Sequence, residues 1–106
     1  MDILSIFENE FGHVEKEGKY YYVYDGGTLV CKLEFYGSMT YIYNAEGRHA
    51  GLLTGDSGTF DVKYNDAFGC GGYVGSITIF RDEVSATELS SGRSVTPGYL
   101  IRQVLE

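Results

Sequence analysis

Proline and cysteine are scarce in this chain: one proline and two cysteines among 106 residues. So little proline leaves no proline-rich linker, and no repeat or low-complexity segment divides the sequence, so one domain over residues 1–106 is expected. Cys31 and Cys70 lack the number and spacing of a metal site, and without an export signal two thiols are expected to stay reduced. Bases are also few, eight against fifteen acids, for a formal charge of −7. Lys16, Lys19, Lys32, Arg48, Lys63, Arg81, Arg93 and Arg102 are scattered, most with an acid nearby. That pattern lacks the clustered cations a phosphate backbone requires, so direct nucleic-acid binding is not expected. Long apolar runs are missing too. The longest uncharged stretch, Ala67 to Phe80, is broken by glycines and too short to span a bilayer. The opening residues carry Glu8 and Glu10 where a leader would be basic and then apolar, so the expected location is cytoplasmic, away from membranes.

What is present points to strands. Hydrophobic residues make up 43%, with fifteen glycines, ten tyrosines and six phenylalanines, a composition of short strands and tight turns. Asp2 to Phe11 reads as an amphipathic helix, with Ile3, Phe7 and Phe11 four apart and Gly12 as its stop. From Lys19 to Arg81 short apolar or aromatic runs alternate with the turns Asp25-Gly26-Gly27, Gly37-Ser38, Asn44-Ala45-Glu46-Gly47 and Gly55-Asp56-Ser57-Gly58. Ser85-Ala86-Thr87-Glu88 has the spacing of a capping box and predicts a short helix ending at Gly92. Thr96-Pro97 opens a last helix through Glu106, with Leu100, Ile101, Val104 and Leu105 as its stripe. The expected class is α+β: an antiparallel meander of five to six coiled strands, an N-terminal helix and one or two C-terminal helices, with open sheet or small barrel both allowed.

Turn parity assigns the faces, because successive residues of a strand alternate. Even loops place Tyr20, Tyr22, Tyr24, Leu29, Cys31, Leu33, Phe35, Ile42, Leu53, Phe60, Val62 and Tyr64 on one apolar face, with His49 beside Tyr64. The other face holds Lys19, Tyr21, Lys32, Glu34, Tyr36, Tyr41, Tyr43, Arg48, Asp61 and Lys63. A single bulge would invert every residue beyond it. In the last strand, about Tyr73 to Arg81, Ile77 and Ile79 are expected inward and Val74 and Phe80 outward.

Chemistry is sparse. Gly55-Asp56-Ser57-Gly58 resembles the GDSG around the nucleophile of chymotrypsin-like serine proteases over four residues. Thr59 and Phe60 then depart from the glycine and proline that follow in that family, whose fold needs two barrels, so the segment reads as a turn. The glycines of Gly69-Cys70-Gly71-Gly72-Tyr73-Val74-Gly75 precede a strand, where a phosphate-cradling loop would precede a helix. No catalytic constellation, metal-ligand spacing or cofactor motif is found, so neither an enzyme nor a cofactor is expected. The distinctive feature is the mixed face, where Tyr21, Lys32, Tyr36, Tyr41, Tyr43 and Arg48 have the composition of a protein contact surface. The expected function is a small acidic binding protein that inhibits a protein partner, such as a toxin or a basic nucleic-acid-handling enzyme. That is the role of an immunity protein or a phage anti-defence protein. The alternative is a small-ligand binder with a pocket near Tyr20, Tyr22, His49 and Tyr64 in a curled sheet.

Overall fold

The computed structural model describes residues 2–55, 58–65 and 72–106. Among the described residues the order is α1 (Ile3–Phe11), β1 (His13–Glu17), β2 (Tyr20–Asp25), β3 (Thr28–Tyr36), β4 (Met39–Asn44), β5 (His49–Thr54), β6 (Thr59–Tyr64), β7 (Tyr73–Phe80), β8 (Glu83–Glu88), β9 (Ser94–Val95) and α2 (Pro97–Leu105). The strands form one sheet in sequence order from β1 to β9, every neighbour antiparallel. The α+β meander is as expected, but the described residues form nine strands where five or six were expected. Because β1 and β9 end the strand order, the sheet is open.

Both helices have local reasons to form where they do. The Asp2 side chain accepts a hydrogen bond from the Ser5 amide at 2.9 Å, which satisfies a first-turn donor and holds the Asp2 carboxyl below its usual range. Ile3, Ile6, Phe7 and Phe11 then fall on one buried stripe. In α2, Thr96 caps the Tyr99 amide and Pro97 fills the first turn, where its missing N–H costs nothing. The Gly98 amide donates instead to Glu10 of α1 at 2.6 Å, so one helix caps the other. Leu100, Ile101 and Val104 are buried.

Both helices lie on the same face of the sheet. They cover Val23, Cys31, Leu33, Ile42, Leu53, Val62, Ile77 and Ala86, which form one core cluster with the helix stripes. α2 runs over β5 to β8, and its close approach depends on absent side chains. A Cβ at Gly51 would strike Val104 and the Lys63 carbonyl, and one at Gly75 would strike the Thr87 carbonyl and crowd Leu100. α1 packs on β1 and β2 at one end, yet Ile6 and Glu10 share a hollow of about 220 Å³ with Val84 of β8 and Pro97. The sheet therefore coils around the helices, and among the described residues its other face has no helix on it.

Three bulges revise the expected faces. Val23 pairs with Cys31 but Tyr24 pairs with Leu29, so Val30 is extra in β3. Ala50 is extra in β5 and Val74 in β7 in the same way. The Tyr24–Leu29 pair is the expected one, on the Gly26-Gly27 turn whose positive φ angles of 60° and 87° suit glycine. Beyond Val30 the register inverts: Tyr22 meets Lys32, Tyr21 meets Leu33 and Tyr20 meets Glu34. Tyr20, Tyr22 and Tyr24 are thus on the helix-free face and Tyr21 on the core face, opposite to the expectation. The Ala50 bulge likewise turns His49 to the helix-free face, beside Tyr43. The bulge at Val74 buries that residue, which was expected outward.

From β3 through β4 the register is as read, with Leu33 opposite Ile42 and Phe35 opposite Thr40. The pairs across β5 are displaced by two residues, Leu53 meeting Val62 and Gly51 meeting Tyr64, which preserves the faces. The helix expected from Ser85 is strand β8. Its burial alternates, with Val84, Ala86 and Glu88 inward, and Ala86 pairs with Ile77. Gly55 and Gly58 flank the connection between β5 and β6. Asp56, Ser57 and residues 66–71, Cys70 among them, lie outside the described residues.

Candidate functional site: the aromatic face of the sheet

The helix-free face is built from side chains that alternate with the core. β2 contributes Tyr20 and Tyr22, β3 contributes Lys32, Glu34 and Tyr36, and β4 contributes Tyr41 and Tyr43. The Ala50 bulge adds His49 from β5. An antiparallel sheet with one face in water ordinarily shows mixed polar residues there. Here aromatic rings touch in an unbroken row.

Tyr22 meets Tyr20 at 6.5 Å between centroids, and Tyr20 meets Tyr43 at 6.2 Å and 87°. Tyr43 lies 5.2 Å from His49, His49 meets Tyr41 at 5.0 Å and 88°, and Tyr41 continues to Tyr36 at 6.0 Å. Edge-to-face contacts of this kind place the positive rim of one ring against the negative face of the next. Three of the five contacts are of this kind, whereas Tyr43 and His49 are tilted by 35° and Tyr36 and Tyr41 by 52°. The row offers ring edges and phenol hydroxyls, and tyrosine is a residue enriched at protein interfaces.

The polar groups in the row are tied to it. Glu34, with 14% of its side chain exposed, accepts a hydrogen bond from the Tyr43 hydroxyl at 2.9 Å and pairs with Lys19 at 3.4 Å. Burial, reinforced by that carboxylate, holds the Tyr43 phenol above its usual pKa. The Lys32 ammonium lies 4.2 Å from the Tyr20 centroid and 5.1 Å from that of Tyr43. His49 Nε2 lies 3.0 Å from the Gly51 carbonyl, which fixes the ring between Tyr41 and Tyr43. Side chains pinned in the free protein lose less freedom when something docks on them.

Of the residues expected to form a contact surface, Lys32, Tyr36, Tyr41 and Tyr43 come together here. Tyr21 does not: it faces the core side, edge-on to Phe35 at 5.3 Å, beside Ile3 and Leu4. Arg48 stands in the turn between β4 and β5. Of the expected pocket residues, Tyr20, Tyr22 and His49 join the row. Tyr64 lies across from Gly51 on the other face, and it shares with Arg48, His49 and Asn65 a cleft of about 310 Å³ beside Val104. Glu34 was placed on the correct face by parity but not among the contact residues. Its signal was its position between tyrosines on neighbouring strands.

Elsewhere, Cys31 is fully buried and its thiol is pushed up to about 12 by desolvation, so it packs as a small apolar side chain. Among the described residues no three His, Cys, Asp or Glu side chains converge as metal ligands would. No helix among them is long and apolar enough to cross a membrane. The chain matches no family model, curated protein or solved structure, so a functional reading stands on this geometry.

Proposed function

We propose that the chain is a small acidic binding protein that docks the aromatic face of its sheet on a basic protein surface and blocks it. The observation that carries this reading is the row from Tyr22 through Tyr20, Tyr43, His49 and Tyr41 to Tyr36, held rigid on the face without helices. Tyrosine rings anchored in this way desolvate well and keep their hydroxyls for a partner. The net charge of −7 supports the choice of a basic partner, because opposite potentials steer encounter and disfavour wrong partners. Nucleic-acid-handling enzymes and toxins carry such surfaces, which makes an immunity or anti-defence role the fitting one.

The test uses extracts of the organism that encodes the chain. The wild-type chain captures a partner and inhibits its purified activity, whereas Tyr20→Ala/Tyr41→Ala captures and inhibits weakly. Equal capture and inhibition by both would overturn the reading.

A second reading, small-ligand binding, draws on the cleft that joins Arg48, His49, Tyr64 and Asn65. Its size falls in the range of small-molecule sites, and its convergent polar groups could orient a polar ligand. A thermal shift with nucleotides or small metabolites, lost in Arg48→Ala, would favour it.

A further inference from the structure

We infer that Tyr20, Tyr43 and Glu34 form a cage for an organic cation, filled in the free protein by the chain's own Lys32 and opened to an arginine or lysine of the partner when Lys32 turns away. For the identity of that occupant the inference rests on the partner-binding reading of the same face.

The walls are set by the sheet. Lys32 stands between Tyr22 and Tyr43, and Glu34 between Tyr20 and Tyr41, so the cage draws on β2, β3 and β4 rather than on a loop. Tyr20 and Tyr43 cross at 87° with centroids 6.2 Å apart. The Lys32 ammonium, 4.2 Å from one centroid and 5.1 Å from the other, sits in the corner they make. Two perpendicular ring faces recognise an organic cation, because each ring face is the negative pole of its quadrupole. Glu34 fixes the second wall through the Tyr43 hydroxyl and keeps Lys19 at its other oxygen, where that ammonium lies 5.1 Å from the Tyr20 centroid. Lys19 and Lys32 thus share the Tyr20 ring, and of the two only Lys32 also lies over Tyr43.

Lys32 is a removable occupant. Among the described residues it makes no ion pair, so ring faces alone hold its ammonium, against the rotamer freedom of a four-carbon stem. A guanidinium would hold better, since it stacks flat on a tyrosine and donates to a carboxylate at the same time. The overall negative charge draws such a group toward the face.

The test needs no partner. The wild-type chain, Lys32→Ala and Tyr20→Ala/Lys32→Ala are titrated with tetramethylammonium and with N-acetylarginine amide, and the tyrosine ring protons are followed by NMR. Emptying the cage in Lys32→Ala is expected to tighten binding, with shifts centred on Tyr20 and Tyr43. Removing Tyr20 as well is expected to weaken binding by about tenfold, the worth of a partly desolvated cation–π pair. Equal affinity in wild type and Lys32→Ala, or shifts spread over other tyrosines, would overturn the inference. Should Lys32→Ala not fold, the wild-type chain decides. Ring currents then move the Lys32 side-chain protons upfield of those of Lys63, and coincident shifts for the two lysines refute the cage. Because only small cations are used, failure here leaves the partner reading of the face standing. Loss of that reading, conversely, would be seen in the capture experiment and not in this titration.

Discussion

The Tyr43 hydroxyl donates to Glu34 Oε1 at 2.9 Å, linking β4 to β3 in the middle of the aromatic face. Tyr43→Phe keeps the ring in the row and deletes only this bond. The expected cost is about 1.5–3 kcal/mol, the net worth of a hydrogen bond to a charged group. Urea denaturation of the two proteins measures it. An unchanged midpoint would mean that Glu34 finds an equivalent donor.

Gly51 lies under α2, where a Cβ would meet Val104 and the backbone carbonyl of Lys63. Backbone cannot rotate aside as a side chain can, so Gly51→Ala forces helix and sheet apart. Overpacking of this kind costs about 1–3 kcal/mol. Thermal unfolding should show a clear loss, while Gly26→Ala, in an open turn, acts only through its strained φ of 60°.

Glu88 turns inward from β8, accepting from Ser91 Oγ at 2.7 Å and from Gln103 Nε2 of α2 at 2.8 Å, with Arg93 at 3.8 Å. These bonds, Ser91 foremost, hold its pKa below the usual glutamate value. A depressed folded-state pKa favours the folded chain above the unfolded value, and that contribution fades as pH falls through the folded one. Stability should therefore drop on acidification below about pH 4.3, the unperturbed glutamate value, and drop less in Glu88→Gln. Denaturation midpoints between mildly and strongly acidic buffer check this. Identical acid sensitivity would remove Glu88 from the account.

Cys31 is fully buried, and desolvation pushes its thiol up to about 12. Since the thiolate is the reactive form, iodoacetamide should leave Cys31 unmodified in the native chain and alkylate it in denaturant. Peptide mapping by mass spectrometry distinguishes this site from Cys70.

The legibility of the fold follows from periodicity. The helices were readable because Gly12, Thr96 and Pro97 are terminal signals flanking strong apolar stripes. The pairing of β3 with β4 was readable because Gly37-Ser38 is a tight two-residue turn between well-patterned strands. Three kinds of element were not. β1, with Val14 its only apolar residue, is an edge strand that periodicity passes over. β8 hid behind a capping-box spacing, although its alternation was present in Val84, Ala86 and Glu88. The bulges at Val30 and Ala50 leave no mark in composition, yet they decide on which face Tyr20, Tyr22 and His49 lie. Val23 carries the one hint. It is the apolar residue amid the tyrosines of β2 and it is fully buried, so its neighbours Tyr22 and Tyr24 had to face away. The two faces were therefore half read: right for β3 and β4, where no bulge intervenes, and inverted for β2.

The proposed docking surface is the helix-free face, and no other face is expected to meet the partner. Titration calorimetry of the captured and purified partner against three chains tests it most directly: wild type, Tyr20→Ala/Tyr41→Ala, and Tyr99→Ala/Arg102→Ala on the exposed side of α2. Loss of two anchoring tyrosines should weaken binding at least about tenfold, with the α2 variant close to wild type. Full affinity in the tyrosine variant and loss in the α2 variant would contradict the account.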